Sequence, residues 1–276
     1  MEAQAFRGGW AGDIAFLAGE RAVTHAQVHE GAARSGTLLA GMGVSRGDRV
    51  LIALPDGPEF AWAFLGAARI GAIAVPVNPR LTADDHRAAA DDTAAKVVVC
   101  SAELASRFEG EVAVGEELER ACRAHPPAAA AAVGAGDAAY AQYTSGTTGS
   151  PKAAVHAHGD PLVYVEAFAR PAIALRRTDV VLSVSKLYFA YGLGNSLFFP
   201  LLTGCRAVLH AAHPRPDEIA ELVREDRVTV LFSVPTFYAH LVAGGRAADM
   251  ESIRVAVSAG EALGVALAAR ARSFLG

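Results

Sequence analysis

The chain has 276 residues, enough to bury a large core as one big α/β domain or two smaller ones. Its formal charge of −4 supplies no basic field for nucleic acid or an anionic membrane, and 52% apolar with 20% charged residues fit a soluble globular protein. The N-terminus lacks a signal-peptide core, and Cys100, Cys122 and Cys205 are far apart without metal spacing, so a reduced cytoplasm is expected.

Residues 1–22 carry little pattern. Thr24-His25-Ala26-Gln27 fits a capping box and opens a helix to about Met42, with Val28, Leu38, Leu39 and Met42 inward. A turn over 43–48 leads into a short buried strand over 49–54. Asp56-Gly57-Pro58-Glu59 opens the next helix, since Pro58 suits a first turn and Glu59 the helix dipole. That helix ends near Gly71 and a strand follows over 72–76. Thr82-Ala83-Asp84-Asp85 caps a helix to about Thr93, before a third strand over 96–100. The alternation predicts an α/β fold with a mainly parallel, helix-covered sheet. Residues 125–137, with two prolines, an alanine run and two glycines, read as a low-complexity linker. A subdomain boundary is placed there, between 1–124 and 138–276.

The run 138–142 feeds the stretch Tyr143-Thr144-Ser145-Gly146-Thr147-Thr148-Gly149-Ser150-Pro151-Lys152. Glycines let such a loop turn backbone N–H groups inward, hydroxyls add donors, and Lys152 can balance a polyphosphate. A surface linker is the bland alternative, but the apolar run Ala153-Ala154-Val155 and the α/β setting favour function. It is not a Walker A loop, because Gly146 and Gly149 are too close and Pro151 precedes Lys152.

A strand over 153–156 follows, and Asp160-Pro161 opens a helix interrupted by Pro171. His156 and His158 would share a face on a strand and could hold a metal, but 158–161 reads as a turn and no third ligand is near. A structural role is expected for both. After a strand over 180–184, the segment 187–205 is uncharged and close to the length that spans a bilayer. Gly192, Gly194, Asn195, Pro200 and Gly204 within it argue for a buried helix beside a pocket. A turn into a strand (204–209), an amphipathic helix (216–226), a strand (228–233), a helix from Phe237 and a strand (253–257) complete the alternation. The last strand leads into Ser258-Ala259-Gly260-Glu261-Ala262-Leu263, a turn at the strand end where α/β folds receive ligands.

The stretch from Tyr143 to Lys152 resembles the signature loop of the adenylate-forming superfamily of acyl- and aryl-CoA ligases, luciferases and carrier-protein-loading adenylation domains. That pattern reads [YF]-T-S-G-[ST]-T-G-x-P-K-G; Ala153 stands where its last glycine usually is. Gly47-Asp48-Arg49-Val50 and Ala74-Val75-Pro76-Val77-Asn78-Pro79 also resemble the N-terminal subdomain of these ligases, with Asp48 and Arg49 a structural pair or cap. The run from Lys186 to Pro200 is similar to the benzoate-type aryl-CoA ligases, K-L-[FY]-F-A-Y-G-L-G-N-[AS]-L.

The resemblance implies roles residue by residue. Thr144, Ser145, Gly146, Thr147, Thr148, Gly149 and Lys152 hold the β- and γ-phosphates of ATP, with Thr147 and Thr148 near its Mg2+ and no other metal ligand from this chain. Phe189 is the mobile aromatic gate between carboxylate and thiol tunnel, and with Ala190, Tyr191, Gly192 and Ala259 it lines the acid pocket. Ser258, Gly260 and Glu261 face the nucleotide. Gly264 replaces a usual proline. The implied reaction joins a small aromatic acid to AMP and then to CoA. A carrier protein or nitrogen nucleophile as acceptor, nitrite as the acid, a homodimer, and a binding remnant without turnover stay open. The family's Y-G-x-T-E and T-G-D segments, hinge arginine and C-terminal lysine domain have no counterpart here, so an incomplete chain is expected.

Overall fold

The computed structural model describes residues 1–144 and 152–275, which divide into two compact units. One comprises Ala26–Val163 with Leu187–Ala190; the other comprises Met1–His25, Tyr164–Lys186 and the chain from Tyr191 onward. Each unit has its own six-stranded sheet.

The weakly patterned N-terminus forms helix α1 (Glu2–Arg7) and an antiparallel hairpin of β1 (Ile14–Ala18) and β2 (Arg21–Thr24), with Gly19 at φ +59° in the connection. Helix α2 (His25–Gly41) follows, with Val28 and Leu39 fully buried and Leu38 and Met42 half-buried. Then come β3 (Arg49–Ala53), α3 (Pro58–Arg69), β4 (Ile73–Pro76), α4 (Ala83–Thr93), β5 (Val97–Cys100), β6 (Val112–Val114), α5 (Gly115–Ala124), β7 (Ala138–Thr144) and β8 (Lys152–Ala157). These strands order as β6-β5-β3-β4-β7-β8, parallel except for the β7–β8 pair. Val50, Leu51, Ile52 and Ala53 have no exposed surface, as a parallel sheet with helices on both faces requires.

Local signals act as read at several points. The Thr82 hydroxyl accepts the Asp85 N–H at 3.1 Å and so caps α4. Asp48 and Arg49, however, do not pair with each other. The Asp48 carboxylate accepts the Ser45 N–H at 2.8 Å and closes the turn, whereas Arg49 donates to the Thr93 and Ala94 carbonyls at the end of α4. Those carbonyls lack intrahelical partners, so a guanidinium satisfies both them and the helix dipole.

The boundary placed at 125–137 is not where the compact units divide. β7 pairs with β4 and β8 with β7, so strands on both sides of that segment share one sheet. The segment itself is strapped to α2 and α3. Arg34 and Thr37 donate to the His125 and Pro126 carbonyls, and Ala128 bonds both Ala33 and Arg69. Its low complexity marks an extended strap and not a hinge.

Helix α6 (Asp160–Tyr164) ends where the first unit does, and the other unit continues with a π-turn over Val165–Ala169 and β9 (Val180–Ser183). The uncharged stretch folds as α7 (Ala190–Leu193), a π-turn over Gly194–Phe198 and α8 (Phe199–Thr203), with Leu197, Phe198 and Leu201 buried. Among the described residues no helix is long and apolar enough to cross a membrane. β10 (Arg206–Val208), α9 (Pro216–Glu225), β11 (Val230–Ser233), α10 (Pro235–Gly244), β12 (Val255–Ser258) and α11 (Val265–Leu275) complete the unit. Helix α10 begins two residues before the expected Phe237, because Pro235 fits its first turn. The sheet runs β12-β11-β9-β10-β1-β2, and all neighbours except the β1–β2 hairpin are parallel. One of its faces packs Leu182, Leu231 and Val208 against Ile219, Val223, Tyr238 and Leu241. Cys100 and Cys205 are buried and not joined in a disulfide.

The N-terminal ends of β9, β11 and β12 are tied by one buried carboxylate. Asp179 accepts from Arg254, from the Thr229 hydroxyl at 2.8 Å and from the Arg176 N–H at 2.7 Å. Burial pushes this carboxyl up, but the hydrogen bonds from Arg254, the Arg176 N–H and Thr229 together outweigh it and hold it below the usual carboxylate range. Its stabilisation is therefore complete above the unfolded value of about 3.9 and is lost as pH falls through the lower folded value. Asp179→Ala is expected to cost on the order of 3 kcal/mol of unfolding free energy at pH 7, read by urea titration, with the difference from wild type shrinking below about pH 4.

Candidate active site

The ends of β7 and β8 that flank residues 145–151 carry the two described phosphate-loop candidates, Thr144 and Lys152. Thr144 pairs with Lys152 in the ladder, and the Thr144 hydroxyl donates to the Lys152 carbonyl at 3.3 Å. Both side chains are exposed. Ser145, Gly146, Thr147, Thr148 and Gly149 lie outside the described residues. Just before the loop, the Tyr143 phenol donates to Asp92 on α4 at 2.6 Å, which anchors the end of β7 to that helix. Burial and the Asp92 carboxylate both raise the Tyr143 pKa.

The two histidines beyond the loop are separated as the turn predicts, since β8 ends at Ala157. His156 stacks on Tyr140 with ring centroids 4.7 Å apart, and its Nδ1 lies 3.1 Å from the Asp160 carboxylate. Asp160 also accepts the Ala157 N–H. His158 donates its backbone N–H to Asp137, and burial lowers its imidazole pKa against the pull of the Asp137 charge. Among the described residues no group of three or more His, Cys, Asp or Glu could hold a metal ion.

Phe189 and Ala190 belong to the same unit as this hairpin. Phe189 is 50% exposed and its ring meets Tyr188 at 4.8 Å. The chain beneath is fixed by a residue that the sequence reading used only as a helix opener. Asp56, which is buried, accepts the Leu187 N–H at 2.9 Å. Burial, then the Asp56 charge, push the Tyr188 phenol up to about 12.

Tyr191 and Gly192 lie in the other unit, together with Ser258, Ala259, Gly260 and Glu261. A Cβ on Gly192 would sit 2.1 Å from the Lys186 carbonyl oxygen and 2.3 Å from that of Ser185, so only glycine lets the helix start so close to the preceding turn. Tyr191 is thereby laid edge-on against Phe232, and its hydroxyl donates to the Val257 carbonyl at 3.4 Å. Tyr238, also missed in the sequence, brings its hydroxyl to 3.1 Å from the same carbonyl. Val257 precedes Ser258, the last residue of β12; the strand runs one residue further than expected because Ser258 registers with Ser233. Ala259 donates to the Ser233 carbonyl, and Gly260 turns the exposed chain at φ +87° before Glu261.

Burial raises the phenols of Tyr191 and Tyr238 above their ordinary value. These tyrosines stay neutral at physiological pH, so they offer donors and ring faces and not a base. The arrangement suits binding a planar, apolar group at the carboxyl end of a parallel sheet.

Two α/β units of this topology, one with the hairpin loop and one with the aromatic helix, define the N-terminal region of an adenylate-forming enzyme. The family described as AMP-binding enzyme matches residues 2–276. The chain is 43% identical over 274 residues to the p-hydroxybenzoic acid–AMP ligase FadD22 of Mycobacterium tuberculosis, covering 99% of this chain and 39% of that protein. It is 38% identical to the 4-hydroxybenzoate–CoA/benzoate–CoA ligase of Rhodopseudomonas palustris, covering 92% of this chain and 51% of that one. A solved benzoate CoA ligase from Burkholderia xenovorans superposes with a TM-score of 0.91 at 33% identity, over 99% of this chain and 58% of the other. The chain therefore belongs to the AMP-binding enzyme family and spans roughly half the length of such relatives.

Gly192→Ala is expected to lose about 1–3 kcal/mol of stability from the forced backbone shift, measured by denaturant unfolding. It should also move Tyr191 away from Phe232, visible as a change in near-UV circular dichroism.

Proposed function

We propose that this chain forms the nucleotide- and acid-binding part of a ligase that activates an aromatic carboxylic acid with Mg·ATP. A carboxylate oxygen attacks the α-phosphorus, the bond to the β-phosphate breaks, and acyl-adenylate and pyrophosphate result. A thiol sulfur, that of CoA in the leading reading, then attacks the acyl carbon, gives up its proton and expels AMP. The first step depends on stabilising charge on the transferring phosphates, which is the task of Thr144, Lys152 and the intervening hydroxyls and glycines. Ser258, Gly260 and Glu261 take the nucleotide side. Ala190, Tyr191, Gly192 and Ala259 take the ring of the acid, and Phe189 screens the carboxylate from the thiol.

The observation that carries this reading is the uncharged segment 187–205, whose Tyr191 rests against Phe232 beside a glycine, Gly192, that admits no side chain. Such a wall accepts an aromatic ring and rejects an acid with a charged side chain, since an unpaired charge there would be desolvated. The names of the three relatives given above, each an aryl-acid ligase, support the same substrate class. A second reading keeps adenylation and changes the acceptor to a carrier-protein thiol or a nitrogen nucleophile. The relative described as an AMP ligase, and not as a CoA ligase, favours keeping it.

Acid-dependent ATP–pyrophosphate exchange tests the substrate class with benzoate, hydroxy- and aminobenzoates, a medium-chain fatty acid and an amino acid, using this chain and the longest product of its gene. Exchange with aryl acids alone is expected; exchange with the fatty acid or amino acid instead would overturn the pocket assignment. Lys152→Ala should reduce kcat/KM for ATP by about a hundredfold, the scale for removing one preorganised charge-stabilising group. Unchanged ATP use in that variant would refute the loop assignment.

A further inference from the structure

Asp56 invites a bland role as the cap of α3, but the structure gives it another. The N-cap of that helix is Gly57, and no side chain caps it. Asp56 is 6% exposed and its Oδ1 receives the N–H of Leu187, a residue 131 positions later in the chain. Leu187 is itself fully buried. The four residues Leu187–Ala190 pack with Ala26–Val163, although Lys186 before them and Tyr191 after them belong to the other unit. The segment thus has a pinned root at Leu187 and an open tip two residues on, where the Phe189 ring is half exposed beside Tyr188. A carboxylate accepting a buried amide is a charge-assisted bond, stronger than a neutral one, and well suited to holding a short stretch of backbone.

We propose that Asp56 is a positioning residue for Phe189. By fixing the main chain beneath the ring, it confines the motion of the gate to the side chain. The position of that ring then sets how the acyl-adenylate partitions. Attack by the thiol sulfur on the acyl carbon breaks the bond to AMP and yields thioester, whereas attack by water at the same carbon yields free acid and AMP. The claim rests on the aryl-acid ligase reading above, and the tests separate the two.

Two variants distinguish positioning from general folding. Asp56→Asn keeps an oxygen acceptor for the Leu187 N–H without the charge, and Asp56→Ala removes it. In the longest product of the gene, Asp56→Ala is expected to raise the KM for benzoate about tenfold, the scale of one lost hydrogen bond to a charged group. The fraction of acyl-adenylate lost to water in single-turnover reactions with CoA should rise, while the KM for ATP stays within about twofold. Asp56→Asn should restore most of both. Amide hydrogen exchange over 187–190 is the readout independent of turnover: protected in wild type and Asp56→Asn, faster in Asp56→Ala. Equal losses for ATP and acid, or no rescue by asparagine, would reduce Asp56 to a stability residue and overturn the proposal. So would unchanged partitioning in Asp56→Ala. If wild type shows no aryl-acid-dependent exchange while the hydrogen-exchange contrast holds, the anchoring of 187–190 stands and the ligase reading falls.

Discussion

The carbonyl oxygens of Ser185 and Lys186 occupy the space where any side chain at position 192 would begin. That exclusion lets the chain fold back on itself within a few residues of the end of β9 and start a helix at once. Tyr191 is carried onto Phe232 by this closeness, and its hydroxyl onto the Val257 carbonyl, one residue before the strand-end motif. The π-turn that follows, over Gly194–Phe198, continues the same apolar helix while offsetting its faces. Such turns often accompany functional sites, because they re-aim side chains without ending the helix.

The rest of that unit is organised so that its polar anchoring lies at the opposite end of the sheet. Asp179, Thr229 and Arg254 each immediately precede a strand, and their hydrogen bonds tie the three N-terminal ends together. The carboxyl ends are left to short turns and to Tyr191, Ser258 and Gly260. Holding one end rigid while the other carries loops is how open parallel sheets present a ligand site. The second sheet follows similar logic with different parts: Arg49 closes α4, and Tyr143 ties the end of β7 to α4 through Asp92.

Much of the architecture was legible in the chain because its signals are local. Thr82 as a cap, Pro58 in a first turn, the apolar runs of β3, β5 and β11, and the glycine-interrupted uncharged helix each express a preference that tertiary structure keeps. The histidine pair was also readable, since a turn after Ala157 separates their faces. Three features were not. The β1–β2 hairpin lacks clear alternation, because β1 is held by parallel pairing with β10, far away in sequence. The strap at 125–137 looks like a linker because its hydrogen bonds run from backbone carbonyls that composition does not reveal. Asp56 resembles a helix opener until Leu187 arrives above it.

Taken by itself, the sequence determined most of the element types, the α/β class, the family-defining loop from Tyr143 to Lys152 and the aromatic, uncharged character of 187–205. These follow from side-chain period, glycine and proline placement and capping chemistry, all properties of neighbours along the chain. Only the tertiary structure decided strand order, the division into units that sets 187–190 apart from the residues on either side, the partners of Asp48 and Arg49, and the meeting of Tyr191 and Tyr238 at one carbonyl. Each of those depends on backbone groups brought together across long sequence separations, and hydrogen-bond complementarity between distant segments leaves no periodic trace in the residues that make it.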